Sequence, residues 1–275
     1  MIFYPHAKIN IGLAIIEKRR DGFHNIETVF FPVSLCDTLI VETVEEKSSQ
    51  KLDFFCDGND LPESCLYENL CCKAYQLLDA DYHLPSTRIR LHKAIPIGAG
   101  LGGGSSDATY TLLALNDLYQ LQMSDEKLTH YSRQVGSDCA FFLQKQPAFA
   151  TSKGDALESV ILSLSGYHII LIKPPVFVST AYAYSLITPK KAQHYLPESL
   201  QASVSEWRYS VFNDFEEPLF SKFSEIAVIK EKLYGIGAVY ASMSGSGSCV
   251  YGIFKESQKN IVDLFPGCFV WMQEL

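Results

Sequence analysis

The residues with most potential for chemistry lie in one glycine-rich segment, Pro96 to Ala108, which reads PIGAGLGGGSSDA. Glycines remove the Cβ atoms that would hold an anion away from the backbone, and several of them can take positive φ so that successive N–H groups converge. A helical apolar pattern follows from Ala108 to Leu121, with Ser105, Ser106 or Asp107 as its N-cap. A phosphate bound there would meet unpaired amides and the positive end of a helix dipole. The segment therefore predicts a phosphate-binding loop rather than a flexible linker.

Two familiar kinds of phosphate-binding loop fit this segment poorly. The P-loop requires Gly-Lys-Ser or Gly-Lys-Thr, and neither tripeptide occurs in the 275 residues. The dinucleotide pattern GxGxxG is present as Gly98, Gly100 and Gly103, but it belongs after an almost continuously apolar parallel strand. The strand predicted at Arg88 to Ile95 instead alternates basic and apolar residues, which indicates one solvated face. A nicotinamide or flavin site is therefore disfavoured.

The elements that must position the loop mix strands and helices in the N-terminal half. Strands are predicted at Pro5 to Ile15, Ile26 to Val33, Thr38 to Val44 and Lys51 to Cys56, and helices at Asn69 to Leu78, Ala108 to Tyr119 and Asp125 to Gln134. In the first strand Lys8 and Asn10 share the face opposite the apolar residues, about 7 Å apart. A charge on a strand built for burial must find a partner of opposite charge, which makes Lys8 a candidate for anion binding.

The pattern changes after about residue 151. Strands are predicted at Tyr167 to Ile172 and Ala238 to Met243, with a final strand at Cys249 to Phe254, and helices near Thr180 to Leu186 and Ser224 to Leu233. This interleaving suits a small split βαβ domain. We therefore predict an α+β protein with an N-terminal domain over residues 1–153, which contains the predicted phosphate-binding loop, and a C-terminal domain over residues 154–275.

Composition excludes several classes of function. The formal net charge is −8, with 31 acidic and 23 basic residues, so a nucleic acid or an anionic membrane surface is an unfavourable partner. Eight cysteines without a Cys-x-x-Cys pair form neither a disulfide framework nor a zinc pattern. The N-terminus lacks a signal-peptide pattern, and the most apolar stretch, Val160 to Val178, is interrupted by polar residues and prolines. These features predict a cytoplasmic protein that acts on a small molecule.

The string Pro-x-Gly-x-Gly-Leu-Gly-Gly-Gly-Ser-Ser resembles the ATP-binding motif of the galactokinase, homoserine kinase, mevalonate kinase and phosphomevalonate kinase superfamily. Further stretches agree in the expected order along nearly the whole chain: AKINIGLAI (Ala7 to Ile15), RRDGFHNIETVF (Arg19 to Phe30), GSDCAFFL (Gly136 to Leu143) and SGSGS (Ser244 to Ser248). The extra glycines resemble one branch, which implies phosphorylation of the 2-hydroxyl of a cytidine diphosphate-linked methylerythritol in non-mevalonate isoprenoid precursor biosynthesis.

The resemblance also implies a fold and a set of cofactors. The N-terminal domain would be a mixed sheet with helices, like domain 2 of ribosomal protein S5, and the C-terminal domain would be a ferredoxin-like split βαβ unit. ATP would be the co-substrate and Mg²⁺ would bridge its phosphates. The resemblance leaves the oligomeric state open between a monomer and a weak homodimer.

Roles are implied residue by residue. Lys8 and Asp138 match the catalytic pair, although an Asp before the sequence CAFFL is by itself more typical of a helix N-cap. The implied ATP-binding residues are Pro96, Ile97, Gly98, Ala99, Gly100, Leu101, Gly102, Gly103, Gly104, Ser105 and Ser106, with Asn69 and Lys93 on the adenine side and Ser106 as a candidate magnesium ligand. The implied substrate-binding residues are Asn10, Phe23, His24, Tyr184, Gly245, Ser246 and Gly247.

Some points stay open on the sequence alone. Phe23 stands where the family has tyrosine, which keeps an aromatic plane and loses a hydroxyl donor. Tyr182 lies close to Tyr184, so either could be the ring that stacks on the cytosine. The competing functions are another small-molecule kinase of the superfamily, such as homoserine kinase, and a non-catalytic nucleotide-binding module. A homoserine kinase is distinguished by Phe23, His24 and Tyr184, because only a cytidine-binding kinase needs these residues. A non-catalytic nucleotide-binding module is disfavoured, because it would need neither Lys8 nor Asp138.

Overall fold

A computed structural model describes residues 1–44, 51–58, 69–192 and 194–275. The strands are β1 (Ile2–Phe3), β2 (His6–Lys18), β3 (His24–Cys36), β4 (Thr38–Thr43), β5 (Leu52–Gly58), β6 (Thr87–Lys93), β7 (Ala148–Thr151), β8 (Ala156–Ser159), β9 (His168–Lys173), β10 (Tyr240–Met243), β11 (Val250–Phe254) and β12 (Phe269–Glu274). The helices are α1 (Leu70–Tyr82), α2 (Gly103–Leu118), α3 (Asp125–Val135), α4 (Thr180–Ser185), α5 (Leu196–Ser199), α6 (Glu216–Phe220), α7 (Ser224–Gly235) and α8 (Ile261–Leu264).

The chain packs as two compact units. The first comprises Met1–Ala7, Ser34–Ile97 and Gly102–Lys145; the second comprises Lys8–Val33, Gly98–Leu101 and Gln146–Leu275. Each unit combines separate stretches of sequence, so the predicted division at residue 153 stays a prediction. Within the described parts of the chain, no helix combines the length and the apolar character that a bilayer crossing requires.

The first unit contains a mixed sheet in the order β1-β4-β6-β5, in which β5 and β6 are parallel and the other neighbours are antiparallel. In β6 the buried Ile89 and Leu91 alternate with the exposed Arg90 and His92, as the sequence predicts. Helices α1, α2 and α3 pack on the sheet through one apolar core. Helix α3 begins where Ser124 accepts the amide of Lys127 at 3.3 Å, which is the expected N-cap arrangement.

The second unit contains two sheets, ordered β2-β3-β7-β8 and β10-β11-β9-β12. In the second sheet every pairing is antiparallel, and the connection order gives the ferredoxin-like split βαβ unit that was predicted. The strand predicted at Cys249 to Phe254 is present as β11, but the prediction that it is the final strand was wrong, because β12 follows it and pairs with β9. Its sequence FVWMQE is only half-buried along most of its length, so it lacks the strong burial pattern that marks the other strands.

Strand β2 differs from its prediction in one respect that matters for the site. The apolar face is buried as expected, with Ala7, Ile9 and Ile11 at 0% exposure. The opposite face is buried as well, because Lys8 is 5% and Asn10 is 3% exposed. The two polar side chains therefore depend on protein partners, since water cannot satisfy them there.

Candidate functional site

The glycine-rich segment has the backbone that its composition predicts. Gly98, Gly100 and Gly102 have φ of +62°, +74° and +71°, which is the left-handed region that glycine adopts without strain. Helix α2 begins at Gly103, and Gly102 is its N-cap. The predicted caps Ser105, Ser106 and Asp107 are therefore wrong, because the helix starts early enough to place them in its first turns. Among the described residues no side chain caps this start, which leaves first-turn amides available to an anion.

A second glycine-rich segment, Ser244 to Ser248, joins the antiparallel strands β10 and β11 and hydrogen-bonds to the first. The amide of Ser248 donates to the carbonyl of Gly98 at 3.2 Å, and Ser244 Oγ donates to the carbonyl of Gly100 at 2.9 Å. A Cβ on Gly100 would lie 2.0 Å from the carbonyl oxygen of Ser244. This approach and the positive φ together require glycine at position 100.

Lys8 reaches this junction from strand β2. Its Nζ donates to the carbonyl of Gly100 at 2.9 Å and to Asn10 Oδ1 at 2.6 Å, and it lies 5.2 Å from the centre of the Phe30 ring. The backbone amide of Lys8 also donates to the carbonyl of Leu101 at 2.9 Å. The buried ammonium is therefore held against the glycine-rich backbone at Gly100, and its predicted role toward a phosphoryl group stays a prediction.

Asn10 has a fixed amide orientation. Its Nδ2 donates to Thr28 Oγ1 at 2.9 Å, and the Thr28 hydroxyl donates to the carbonyl of Gly12 at 2.5 Å. The side-chain oxygen of Asn10 therefore faces Lys8. The predicted contact of Asn10 with the acceptor substrate stays a prediction.

Asp138 lies in the first unit, directly before a short 3₁₀ helix, Cys139–Leu143. Its carboxylate makes no capping hydrogen bond to that helix. Instead, Asp138 Oδ1 accepts a hydrogen bond of 2.7 Å from the hydroxyl of Ser105, in the first turn of α2. The cap that the sequence alone favoured is therefore absent at this described residue, and the carboxylate is tied to the phosphate-binding segment.

The neighbouring Ser106 carries the clearest unmet polar group in this region. Its side chain is 0% exposed, and within the described residues its Oγ has no hydrogen-bond partner. A buried hydroxyl without a partner is unfavourable. Asp107 Oδ1, on the next residue, is also buried without a partner among the described residues, and the predicted role of Ser106 as a magnesium ligand stays a prediction. In the same described residues no group of three or more His, Cys, Asp or Glu side chains could hold a metal ion by itself.

Lys93 lies beneath the start of α2 in a buried cluster of charges. Its Nζ contacts Asp37 and lies 2.6 Å from Asp107 Oδ2, while Asp37 Oδ1 accepts the amides of Ala94 and Ile95. Burial lowers the pKa of Lys93, but the Asp107 and Asp37 carboxylates outweigh this and raise it. Burial also raises the pKa of Asp107 to about 8, against the attraction of Lys93. The cluster fixes the helix start, and the ammonium is only 7% exposed.

Asn69, predicted on the adenine side, is the N-cap of α1. Its Oδ1 accepts the amide of Cys71 at 2.9 Å. The structure thus gives Asn69 a helix-start role, and its contact with the nucleotide stays a prediction.

All three predicted base-binding residues belong to the second unit, and two of them, His24 and Tyr184, lie together. The rings of His24 and Tyr184 stack at 4.6 Å with an interplanar angle of 18°, while Tyr182 packs edge-on against Phe223. Tyr184 is therefore the aromatic partner of His24. Burial and the nearby Lys18 lower the pKa of His24, which favours a neutral imidazole at pH 7. Phe23 is 50% exposed, and Lys153 Nζ lies 5.0 Å from its ring centre.

The second glycine-rich segment keeps its predicted turn character. Gly245 and Gly247 have φ of +55° and +81°, and Ser246 Oγ lies 3.2 Å from Thr180 Oγ1 on the helix that carries Tyr184. The segment is a hairpin connection between β10 and β11, and it is also hydrogen-bonded to the first glycine-rich segment.

Sequence reasoning missed the side chains that hold these segments in place. They are Asp37, Asn213 and Glu216, all less than 9% exposed. Asp37 separates two strands and Asn213 to Glu217 reads NDFEE, so both look like ordinary polar connections. The signal that could have found them is an acidic or amide side chain directly beside apolar residues that pack in the core.

The sequence matches known proteins along both halves. The GHMP kinases N terminal domain matches residues 69–146, and GHMP kinases C terminal matches residues 197–263. A 4-diphosphocytidyl-2-C-methyl-D-erythritol kinase of Bacteroides fragilis is 46% identical over 278 residues, which cover 100% of each chain. The kinase of the same name from Bacteroides thetaiotaomicron is 48% identical over 258 residues, covering 93% of this chain and 92% of its own.

Solved structures give the same result as the sequence comparisons. The crystal structure of a 4-(cytidine 5'-diphospho)-2C-methyl-D-erythritol kinase superposes with a TM-score of 0.81 at 31% identity, covering 99% of this chain and 98% of that one. The homoserine kinase of Cytophaga hutchinsonii has a TM-score of 0.65 at 17% identity, over 97% and 93% of the two chains, and shows the shared fold alone. GHMP kinases use ATP as co-substrate. This chain therefore belongs to the GHMP kinases and, within them, to the 4-diphosphocytidyl-2-C-methyl-D-erythritol kinase family.

Proposed function

We propose that this enzyme transfers the γ-phosphoryl group of ATP to the 2-hydroxyl of 4-diphosphocytidyl-2-C-methyl-D-erythritol in non-mevalonate isoprenoid precursor biosynthesis. The observation that carries the proposal is the full-length similarity, at 46% identity, to a kinase of that name. The local structure supports it, because the glycine-rich segment ends in an uncapped helix start that can accept phosphates.

The nucleotide would bind along Pro96 to Ser106. The positive-φ glycines direct amides toward the phosphates, and the dipole of α2 favours negative charge at Gly103. Asn69 and Lys93 are proposed to support the adenine side. For Lys93 this support is indirect, because its ammonium already bonds two carboxylates and so acts through the position of the helix start.

Mg²⁺, when bound, would neutralise charge on the phosphate oxygens during transfer. The orphaned hydroxyl of Ser106 fits such a ligand, and we propose Ser106 as the residue of this chain that holds it.

Two side chains would act on the reacting groups. Asp138 orients the acceptor hydroxyl and accepts its proton, while Ser105 keeps one carboxylate oxygen engaged and so fixes the direction of the other. Lys8 stabilises the charge that spreads over the transferred phosphoryl group, which passes through a loose transition state. Both roles depend on position more than on basicity.

The acceptor would be held by its base and its diphosphate. Phe23, His24 and Tyr184 offer aromatic faces for cytosine, and stacking of this kind contributes about 1–3 kcal/mol per base. Asn10 and the segment Gly245 to Gly247 are proposed to contact the polyol and the diphosphate. Because residue 23 is phenylalanine, recognition there rests on the ring face alone.

An ADP-release assay tests the proposal with the cytidyl substrate, homoserine and mevalonate as separate acceptors. We expect turnover with the cytidyl substrate only. Turnover with homoserine or mevalonate but not with the cytidyl substrate would contradict the proposed function. Asp138→Asn should lower kcat by about 100-fold or more with ATP affinity changed less than about twofold. Asp117→Asn, at an exposed position on α2, is the matched control and should leave kcat unchanged.

A further inference from the structure

One buried side chain outside the proposed site is bonded to the second glycine-rich segment. Asn213 is 4% exposed and lies beside strand β2, where it forms a parallel bridge with Leu13. The amide of Leu13 donates to the carbonyl of Phe212, and the amide of Asp214 donates to the carbonyl of Leu13, each at 2.8 Å. The backbone at Asn213 is therefore fixed to the strand that carries Lys8.

All of the strong hydrogen-bonding capacity of the Asn213 side chain is directed at the backbone. Its Nδ2 donates to the carbonyls of Met243 and Gly245, each at 2.8 Å, and its Oδ1 accepts the amide of Phe215 at 3.0 Å. The two carbonyls flank Ser244. Only an amide supplies two donors and an acceptor in this geometry, since an aspartate has no donor and an alanine has neither.

Ser244, which lies between the two carbonyls that Asn213 binds, is connected to Lys8 through two further hydrogen bonds that meet at the Gly100 carbonyl. Ser244 Oγ accepts the amide of Asn10 at 3.2 Å and donates to the carbonyl of Gly100 at 2.9 Å. The same carbonyl accepts a hydrogen bond of 2.9 Å from Lys8 Nζ. A displaced Ser244 would therefore shift the carbonyl against which the ammonium is held.

A different side chain already holds the end of strand β10. Glu216 Oε1 accepts the amide of Met243 at 2.8 Å and the hydroxyl of Ser242 at 3.0 Å, while Lys230 Nζ lies 2.5 Å from Glu216 Oε2. Glu216 thus satisfies strand donors, whereas Asn213 bonds carbonyls at the junction of the strand and the glycine-rich segment. The hydrogen bonds of Asn213 therefore extend past the end of strand β10 to the glycine-rich segment.

We propose that Asn213 is a positioning residue for phosphoryl transfer: it fixes the second glycine-rich segment and, through Ser244 and the Gly100 carbonyl, the ammonium of Lys8. The inference rests on the kinase function proposed above, because it assigns Asn213 to the same reaction. It predicts that loss of the amide changes the rate of transfer more than the binding of ATP.

The test compares Asn213→Ala with Asn116→Ala. Asn116 is a control of the same residue type, since its Oδ1 accepts the amide of Met123 at 3.0 Å near the C-terminal end of α2, at the end of that helix opposite the glycine-rich segment. At a temperature well below both unfolding midpoints, Asn213→Ala should lower kcat by about 10-fold or more with KM for ATP changed less than about twofold. Asn116→Ala should leave both constants unchanged. An equal effect of the two variants on kcat would overturn the inference.

Ser244→Ala provides a second variant that leaves Asn213 in place. If the path runs through Ser244, the double variant should be hardly slower than the slower single variant. Multiplying effects on kcat would contradict that path. If Asn213→Ala folds poorly, Ser244→Ala alone still tests the path, because it removes the hydrogen bond to the Gly100 carbonyl and should lower kcat with KM for ATP changed less than about twofold. An unchanged kcat in Ser244→Ala would overturn the inference.

Hydrogen exchange separates this inference from the proposed function. Amides of residues 243–249 should exchange at least about 10-fold faster in Asn213→Ala than in the wild type and in Asn116→Ala, because the carbonyl anchors are lost. Unchanged exchange would overturn the inference even if the wild type is active. A wild type inactive toward the cytidyl substrate would instead overturn the proposed function, while the exchange result would still decide whether Asn213 holds the segment.

Discussion

The two glycine-rich segments of this kinase are held by different chemistry. The start of α2 lies on a buried cluster of one lysine and two carboxylates, Lys93, Asp37 and Asp107. The segment Ser244 to Ser248 is held by neutral hydrogen bonds, among them the bond from Asn213 to the carbonyl of Gly245. A buried ion cluster is costly to disrupt because a lone charge remains, whereas loss of a neutral amide costs much less. We therefore expect the first anchor to govern stability and the second to govern geometry.

The largest expected effect comes from the ion cluster. Lys93→Met leaves Asp37 buried without its counter-charge, which should lower the free energy of unfolding by about 3–5 kcal/mol. Lys51→Met removes the half-exposed pair with Asp79 and should cost less than about 1 kcal/mol. Chemical denaturation measures both. If Asn213→Ala destabilises the protein as much as Lys93→Met, the two anchors do not differ as described.

A smaller effect is expected at the contact between the two segments. Gly100→Ala places a Cβ against the carbonyl of Ser244 and forces a left-handed backbone, which should cost at least about 2 kcal/mol. Gly104→Ala is the matched control, since its nearest neighbour would be Leu70 Cδ1 at 3.8 Å. It should change stability by at most about 1 kcal/mol, in the favourable direction. Equal unfolding midpoints for the two variants would show that the close approach at Gly100 is relieved without cost.

The last expected effect is a pH dependence that only the charged anchor should show. Burial raises the pKa of Asp107 to about 8, whereas the unfolded chain releases this proton near its ordinary value of 3.8. The folded state therefore retains an extra proton, so this contribution to stability is present at low pH and is lost as the pH rises through 8. Asp107→Asn should remove that loss.

Denaturation of the wild type and of this variant between pH 6 and 9 measures the effect. As the pH rises, the difference in stability should move in favour of the Asp107→Asn variant by at most about 1.4 kcal/mol per pH unit. A difference that stays constant with pH would mean that Asp107 is already ionised in the folded protein at pH 6.

The sequence predicts the two glycine-rich segments better than it predicts the buried side chains that hold them in place. Glycine composition predicts the positive φ of Gly98 and Gly100 because few other residues adopt it. The split βαβ arrangement of the C-terminal part also follows from the order of strands and helices, although strand β12 was missed. The partners of Lys93 and Asn213 could not be predicted, because they come from segments distant in sequence and their polar types suggest solvent exposure. The N-cap prediction for α2 failed for a related reason: the apolar pattern began after the helix did.

The burial of both faces of β2 limits where this enzyme can vary. A substitution on a strand without a solvent face disturbs packing whichever way its side chain points, so neither Lys8 nor Asn10 has neighbours on β2 that can be exchanged freely. Phe23, which is 50% exposed, carries no such restriction. Changes in acceptor preference are therefore expected at exposed aromatic residues such as Phe23. Strand β2, which carries Lys8, should stay the same in variants with different substrates.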